Sequence, residues 1–414
     1  MKPRLSTGLV ILAALGGAAP AQSAPTCASL TNPVYLQVGD SQASLMLALG
    51  RALRDNAPDP ITLVYTTSGS CINVDLAYNG SAIGGGSSGS DFVMSYVPST
   101  AEDATWTPAA GPESCSLPAG GVAPDIAGVE LFPSACTSTT PPSTVALTQG
   151  PTQAYVLAVP RGGNTLAITA EQGYFLFGFG PTMLAAMNAA ISPWTELMEL
   201  FVRGSGQSIQ LAWGASLGVP ATAFYGVIEA GSAAVTDALE SAATPTAAIG
   251  LLAATEYDGA RDRLQSLAYR TYHQWAAYYP DSTSTSRDKQ NVRDGHYTVW
   301  SPTIWIDFVD GGGVPINANA RYVIDLIAGL DPTAYGAAPN FAAQDTVASV
   351  GFVPDCAMRV TRMYEGGPLS AYKPSESCTC EYESIVDVSS CATCSASVPC
   401  AGSAVCRGGY CEEY

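Results

Sequence analysis

Positive charge is scarce in this sequence. Its 414 residues hold 17 Lys and Arg against 35 Asp and Glu, a formal net charge of −18 at pH 7. That balance excludes nucleic acid and anionic membrane surfaces as partners, because both are held by clustered cations. Histidine is scarcer still, at two residues. His273 lies among Tyr272, Trp275, Tyr278 and Tyr279, and His296 lies between Gly295 and Tyr297; both read as structural rather than as bases or metal ligands. Uninterrupted apolar runs are missing as well. Residues 174–191 come nearest to a membrane span, but Gly178, Gly180, Pro181 and Asn188 break them. The expectation is core helix and loop, with no transmembrane segment in the mature chain. The Gly-rich run at 84–90 lacks the Gly-Lys-Ser/Thr ending of a nucleotide loop and reads as a hairpin turn or loop.

With 47% hydrophobic and 13% charged residues, the chain has the makings of one large or two moderate cores. The first residues set the compartment. Lys2 and Arg4 form a basic start, residues 9–15 an apolar run, and Ala19-Pro20-Ala21 or Ala21-Gln22-Ser23 a small-residue cleavage site. This pattern predicts a secretory signal over 1–23 and a periplasmic, secreted or cell-surface protein. Cys27 follows Ala24-Pro25-Thr26, which lacks the aliphatic-then-small pattern of a lipidated cysteine.

All 12 cysteines lie beyond that segment and read as disulfides of an exported chain. Cys27, Cys71, Cys115, Cys136 and Cys356 lie in the body. Cys378, Cys380, Cys391, Cys394, Cys400, Cys406 and Cys411 lie in the tail. Both counts are odd, so full pairing demands an odd number of bridges between tail and body, with Cys356 the nearest body candidate. Cys391-Ala392-Thr393-Cys394 has zinc-like spacing, but disulfides are the expectation in an exported chain, and no metal or cofactor is called.

Along the chain, 34–38 reads as a strand, Gly39-Asp40-Ser41 as a turn, and 42–54 as a helix with Leu45, Leu49 and Leu53 inward. A second strand at 61–65 leads through Thr66, Thr67, Ser68, Gly69 and Ser70 to a helix with Ile72, Leu76 and Ala77 inward. Residues 125–132 form a strand with a carboxylate, Glu130, near its end. Further strands are expected at 155–160, 248–252, 264–269 and 294–300. Helices are expected from Thr169, over 208–242, and over 316–330 with Val323, Ile324 and Ile327 on one side. Strands alternating with helices, joined by small polar turns, predict an α/β fold with ligand contacts at the carboxyl ends of its strands. Residues 373–411 show no core of their own and are expected to depend on disulfides.

Residues 201–210 combine an apolar lead, Arg203, a Gly204-Ser205-Gly206 turn and a segment that opens a helix after Gln207. One bidentate cation, a hydroxyl and free N–H groups suit an anion. Net charge does not preclude this, since the local donors set the site potential.

The order of these pieces resembles periplasmic solute-binding proteins of the phosphate type, the receptor subunits of ABC importers, over residues 34–330. In that family, ligand-contacting turns follow the first two strands; Gly39-Asp40-Ser41 and Thr67-Ser68-Gly69-Ser70 stand there. Glu130 stands at the family's Asp, and Arg203 with Ser205-Gly206-Gln207 at its Arg and Ser-Gly-Thr. Ile249-Gly250 and Asp294-Gly295-His296-Tyr297 match two later segments. The Arg-to-Ser spacing is shorter than the family's, Gln207 replaces Thr, and Val129 stands where Ser is common.

The resemblance implies a two-lobed α/β fold, each lobe a mixed sheet flanked by helices; separately, the cysteine run Cys394, Cys400, Cys406 and Cys411 resembles an EGF-like or related small disulfide module at the C-terminal end. Lobe I would span 24–157, lobe II 158–295, a return to lobe I 296–372, and a Cys-rich, EGF-like tail 373–414. It further implies capture of a small oxyanion, phosphate first, by Asp40, Ser41, Thr67, Ser68, Gly69, Ser70, Glu130, Arg203, Ser205, Gly206 and Gln207. An ABC permease or a cell-surface partner would read lobe closure. An ionised Glu130 would accept a proton from hydrogenphosphate and repel sulfate.

Two other readings compete. The tail fits a surface or secreted binding or adhesion protein that keeps the fold without transport. Gly214-Ala215-Ser216-Leu217-Gly218 matches the nucleophile turn of serine hydrolases, with Asp262, Asp281, His273 and His296 downstream. In a chain with 41 glycines that match is weak, no His-Gly-Gly oxyanion motif accompanies it, and a non-enzyme is expected.

Overall fold

The computed structural model describes residues 24–85, 92–387 and 389–413. The signal reading for 1–23 and most of the Gly-rich run at 84–90 lie outside them. The first lobe alternates β1 (Pro33–Val38), α1 (Ala43–Asn56), β2 (Thr62–Thr67) and α2 (Ser70–Asn79), and adds β3 (Val93–Tyr96), β4 (Glu113–Ser116) and β5 (Ile126–Val129). β1 pairs in parallel with β2 and β5. Leu45, Leu49 and Leu53 of α1 are fully buried, as their spacing predicts. In α2 the expectation fails at one position: Ile72 is exposed, and Asn73 points inward instead. Asn73 is satisfied there, accepting from Gln37 Nε2 (2.9 Å) and donating to the Gly128 carbonyl (2.8 Å).

β6 (Val145–Pro160) is the longest strand and belongs to both lobes. Its first part, from Val145 to Ala154, runs antiparallel to β13 (Trp300–Phe308), which also pairs with β5. Beyond Tyr155 it pairs with strands of the second lobe. Pro151 of β6 and Pro302 of β13 lie at a register shift within the β6–β13 pairing; lacking an N–H, each weakens the ladder locally. Thr152 turns to Val353, exchanging two backbone bonds of 2.7 and 3.0 Å. One mixed sheet runs through both lobes; its order is β4-β3-β2-β1-β5-β13-β6, and beyond β6 it continues into the second lobe.

The second lobe contains β7 (Ala167–Thr169), α3 (Ala170–Phe179), α4 (Pro181–Ala186), β8 (Leu200–Val202), α5 (Ser208–Leu217), β9 (Val227–Ile228), α6 (Ser232–Glu240), β10 (Ile249–Ala253), α7 (Ala254–Gly259), β11 (Leu264–Ser266), β12 (Ala268–Arg270) and α8 (Gln290–Arg293). Thr169 and Gln172 close a capping box at the start of α3. Residues 208–242 are not one helix: Gly218 ends α5 with φ +71°, and α6 starts afresh at Ser232. Residues 294–299 are not a strand either, because Gly295 turns at φ +81° after α8. β8, β9 and β10 are parallel neighbours, so α5, α6 and α7 all start at one end of this lobe's sheet.

α9 (Ala318–Ala328) returns to the first lobe with Val323, Ile324 and Ile327 buried, and α10 (Ala343–Ser349) packs beside it. The 12 cysteines form six bridges. One, Cys356–Cys378, joins body to tail, as the odd counts require. The tail has more support than its sequence shows: α11 (Thr379–Val386) seats Tyr382 in the second lobe's core. No helix of the described residues is long and apolar enough to cross a membrane.

Candidate anion site between the lobes

The two lobes meet where α1, α2, α5 and α6 begin. Each helix start leaves N–H groups unpaired and carries a partial positive charge, so four such ends in one place favour acceptors there. Arg203, directly after β8, is buried at 2% exposure. Its N–H donates to Gln210 Oε1 (3.1 Å), which sets the direction of the side chain. Nη1 donates to Asp40 Oδ2 (3.0 Å) and Ser232 Oγ (3.0 Å), and Nη2 donates to the Ala230 carbonyl (3.3 Å). Nε is buried with no hydrogen-bond partner.

Asp40 crosses the seam from the turn after β1. Its Oδ2 also accepts from the N–H (2.8 Å) and the hydroxyl (3.1 Å) of Ser232, the first residue of α6. One guanidinium, one helix-start N–H and one hydroxyl thus surround a single carboxylate oxygen. That is the donor set of an oxyanion site, filled by the chain's own side chain.

Glu130 lies beside it, 1% exposed, at the end of β5. Its Oε2 accepts from the Ser41 hydroxyl and from the Ser208 hydroxyl (3.2 Å), one from each lobe. Its N–H donates to Ser70 Oγ (3.3 Å), and its carbonyl accepts from the Tyr155 hydroxyl (2.5 Å). Oε1 is buried without a partner. Burial first, then the charge of Asp40, pushes the Glu130 carboxyl up to about 8, against the pull of the two hydroxyls and Arg203. At neutral pH it is a neutral acid and a hydrogen-bond donor. Glu256 on α7 is raised too, by burial and then by Asp40, with Arg203 opposing.

The remaining expected residues divide. Gly69, Gly206 and Gln207 form the contact between the lobes: the Gly206 carbonyl accepts from the Cys71 N–H (3.2 Å), and a Cβ on Gly69 would lie 2.9 Å from Gln207 Nε2. Thr67 and Ser205 are exposed, and Ser68 donates its N–H to the Val38 carbonyl (2.8 Å). Among the described residues none of these three hydrogen-bonds to Asp40, Glu130 or Arg203. Ser208 and Ser232 escaped the sequence reading. Each is a serine opening a helix; a continuous helix over 208–242 hides that signal at Ser232 but not at Ser208.

Among the described residues, the hydrolase and metal candidates are engaged in other contacts. Ser216 lies within α5, not on a strand-to-helix turn, and its hydroxyl is 2.9 Å from the Tyr269 hydroxyl. His296 is stacked on Tyr278 at 4.9 Å. The sulfurs of Cys394, Cys400 and Cys411 lie within 4.8 Å of one another, but all three are in disulfides.

No family model matches the chain, and no curated protein does. Among solved structures it is similar to a protein of Clostridium perfringens assigned as a phosphate ABC transporter substrate-binding protein and solved with phosphate. That similarity has 12% identity and a TM-score of 0.49, over 78% of this chain and 99% of that one. It is also similar to an ABC-type phosphate transport receptor of Vibrio cholerae (11% identity, TM-score 0.43, 77% and 99% covered). A phosphate-binding protein of Stenotrophomonas maltophilia is a third (11%, 0.44, 78% and 90%).

Proposed function

We propose that the chain is an exported solute-binding protein that captures a small oxyanion, phosphate first, between its two lobes. One observation carries the reading: the Asp40 carboxylate, held by Arg203 Nη1, the Ser232 N–H and the Ser232 hydroxyl at 2.8–3.1 Å. A site that holds a carboxylate with a charged fork and a helix start is equipped for a phosphoryl oxygen. Asp40 stands in for the anion, and a ligand displaces it. The hydroxyls of Ser41, Ser70 and Ser208 and the unpartnered Arg203 Nε supply the further donors that a tetrahedral oxyanion needs. Closure on the ligand would be read by an ABC permease or a cell-surface partner.

Thermal-shift titration with phosphate, sulfate, phosphonates and small carboxylates tests this. Phosphate is expected to raise the Tm in proportion to the logarithm of its concentration, and Arg203→Ala to abolish the effect. Asp40→Asn removes the internal competitor and is expected to tighten phosphate binding at least tenfold. No shift with any oxyanion, or unchanged affinity in Asp40→Asn, counts against the proposal.

A second reading has an observation of its own. Asp40 and Ser232 also tie lobe to lobe through the chain's own side chains, and a disulfide-rich tail is attached. A surface binding or adhesion protein with a permanently closed seam fits those two facts. It is favoured if oxyanions leave the Tm unchanged while Asp40→Asn lowers it.

A further inference from the structure

A loop over residues 362–369 crosses α5 so closely that a Cβ on Gly366 would lie 2.7 Å from the Cβ of Ala215. Beside this crossing a cavity of about 310 Å³ opens, walled by Ala212 and Ala215 of α5 and by Leu369, with Thr298, Arg362 and Glu365 among its polar groups. Asp40, Glu130 and Arg203 do not line it.

Arg362, 5% exposed, is unusual in the fold. Among the described residues the other buried arginines each hold a carboxylate: Arg54 pairs with Glu102 (2.7 Å), Arg203 with Asp40 (3.0 Å), Arg261 with Asp281 (2.6 Å) and Arg293 with Glu383 (2.9 Å). Arg362 forms no such pair. Its guanidinium carbon rests 4.1 Å from the centre of the Trp300 ring, and Nη2 donates to the Thr298 carbonyl (2.8 Å). Nε is buried without a partner. Nη1 donates to nothing among the described residues, so its two N–H groups are the ones left to the cavity. Glu365 acts on Arg362 from beyond ion-pair reach and is held elsewhere, accepting from the Ser301 hydroxyl (2.8 Å) and facing the N–H groups of Phe132 and Gly366. Burial pushes the guanidinium down to about 10 in spite of Glu365, and burial raises the Glu365 carboxyl to about 7. Neither group compensates the other. An unpaired buried cation is costly, and an anion that enters removes the cost.

We infer that this cavity binds a small monocarboxylate with an apolar body, its carboxylate on Arg362 Nη1 and the Thr298 hydroxyl and its carbon end against Ala212, Ala215 and Leu369. The volume, equal to about ten water volumes, suits an acid of about nine or ten non-hydrogen atoms. A dianion such as phosphate fits less well. Arg362 is the one cation lining the cavity, and a second negative charge would face Glu365 with nothing to hold it.

Isothermal titration of the protein with sodium benzoate and with benzamide, its neutral isostere, tests the inference. Benzoate is expected to bind and benzamide not to. Arg362→Met, which keeps a stem over Trp300, should weaken benzoate at least tenfold. Thr298→Val, which removes the hydroxyl and keeps the shape, should weaken it severalfold. Glu365→Gln keeps an acceptor for Ser301 and removes the nearest negative charge, so it should tighten benzoate; this variant and the benzamide comparison decide the matter even where Arg362→Met fails to fold. No binding of benzoate, equal binding of benzamide, full affinity in Arg362→Met, or weaker binding in Glu365→Gln would each overturn the inference. Phosphate affinity, read in the same preparations, is expected to be unchanged by Arg362→Met. A failure at the seam and a failure here are thus separable.

Discussion

Glu130 decides what the seam does as pH changes. Its carboxyl sits at about 8 against an ordinary value of 4.5. The folded chain keeps a proton that the unfolded chain releases between those values. Stability tied to this group is therefore complete below about 4.5 and is lost as pH rises through 8, with a slope of up to about 1.4 kcal/mol per pH unit. Glu130→Gln keeps the shape and acceptor of the neutral acid but cannot ionise. Its unfolding free energy, measured by denaturant titration from pH 5 to 8.5, should fall less with pH than the parent's by up to that slope. Equal slopes would mean Glu130 is ionised in the folded state at neutral pH. Selectivity follows the same proton, granted that the seam binds oxyanions. At pH 6.5 the neutral acid donates to phosphate and sulfate alike. Above pH 8.5 the carboxylate, beside Asp40 and facing Arg203, accepts the proton of hydrogenphosphate and turns sulfate away. Competition binding should show phosphate preference growing with pH in the parent and not in Glu130→Gln.

Secondary-structure elements bring these residues together, and they were legible to different degrees. The first lobe could be read because β1, α1, β2 and α2 follow one another with clean changes of period. That grammar puts Asp40, Ser41, Ser70 and Glu130 at strand ends, and the resemblance to phosphate-type solute-binding proteins singles them out as site candidates. In the second lobe Arg203 was found from its flanking turn, but its partner Ser232 was not. Alanine-rich sequence on both sides masks the break between α5 and α6, and only Gly218, Pro220 and Gly231 mark it. Residues 294–300 misled differently: alternating side chains look like a strand, but Gly295 takes a positive φ that turns the chain. The role of β6 is invisible in the sequence, because carrying one sheet from the first lobe into the second is a property of its partners rather than its composition. Its dependence on one small residue is testable. A Cβ on Gly150 would lie 2.6 Å from Trp305 Nε1 and 2.7 Å from Thr303 Oγ1. Gly150→Ala should destabilise by about 1–3 kcal/mol through overpacking and change the near-ultraviolet signal of the buried Trp305. A silent substitution would show that this part of β6 yields easily.

On the scale of the whole molecule, the tail is the part whose character changes most once folded. Its cysteines suggest a separate stapled appendage, and the last two bridges, Cys394–Cys406 and Cys400–Cys411, do interlock around a short hairpin. The segment before them belongs to the body. Tyr382 is 1% exposed within the second lobe's core. Arg293, itself buried, lies over its ring at 5.3 Å and pairs with Glu383 at 2.9 Å. Cys356–Cys378 closes a separation of 22 residues at the same place, worth about 3 kcal/mol by loop entropy. If the bridge alone held α11, the Cys356→Ala/Cys378→Ala double variant would lose amide protection throughout α11 under native conditions. Because packing and the Arg293–Glu383 pair also hold it, the expected result is a loss of about 3 kcal/mol in global stability with protection of α11 retained. Adding Tyr382→Ala to that variant removes the buried ring and should release the helix. Hydrogen exchange on the two variants separates the alternatives: early exchange of α11 in the double variant alone would return the tail to the status of an appendage. Retained protection makes α11 part of the second lobe's packing, one that any closing motion of the lobes has to carry with it.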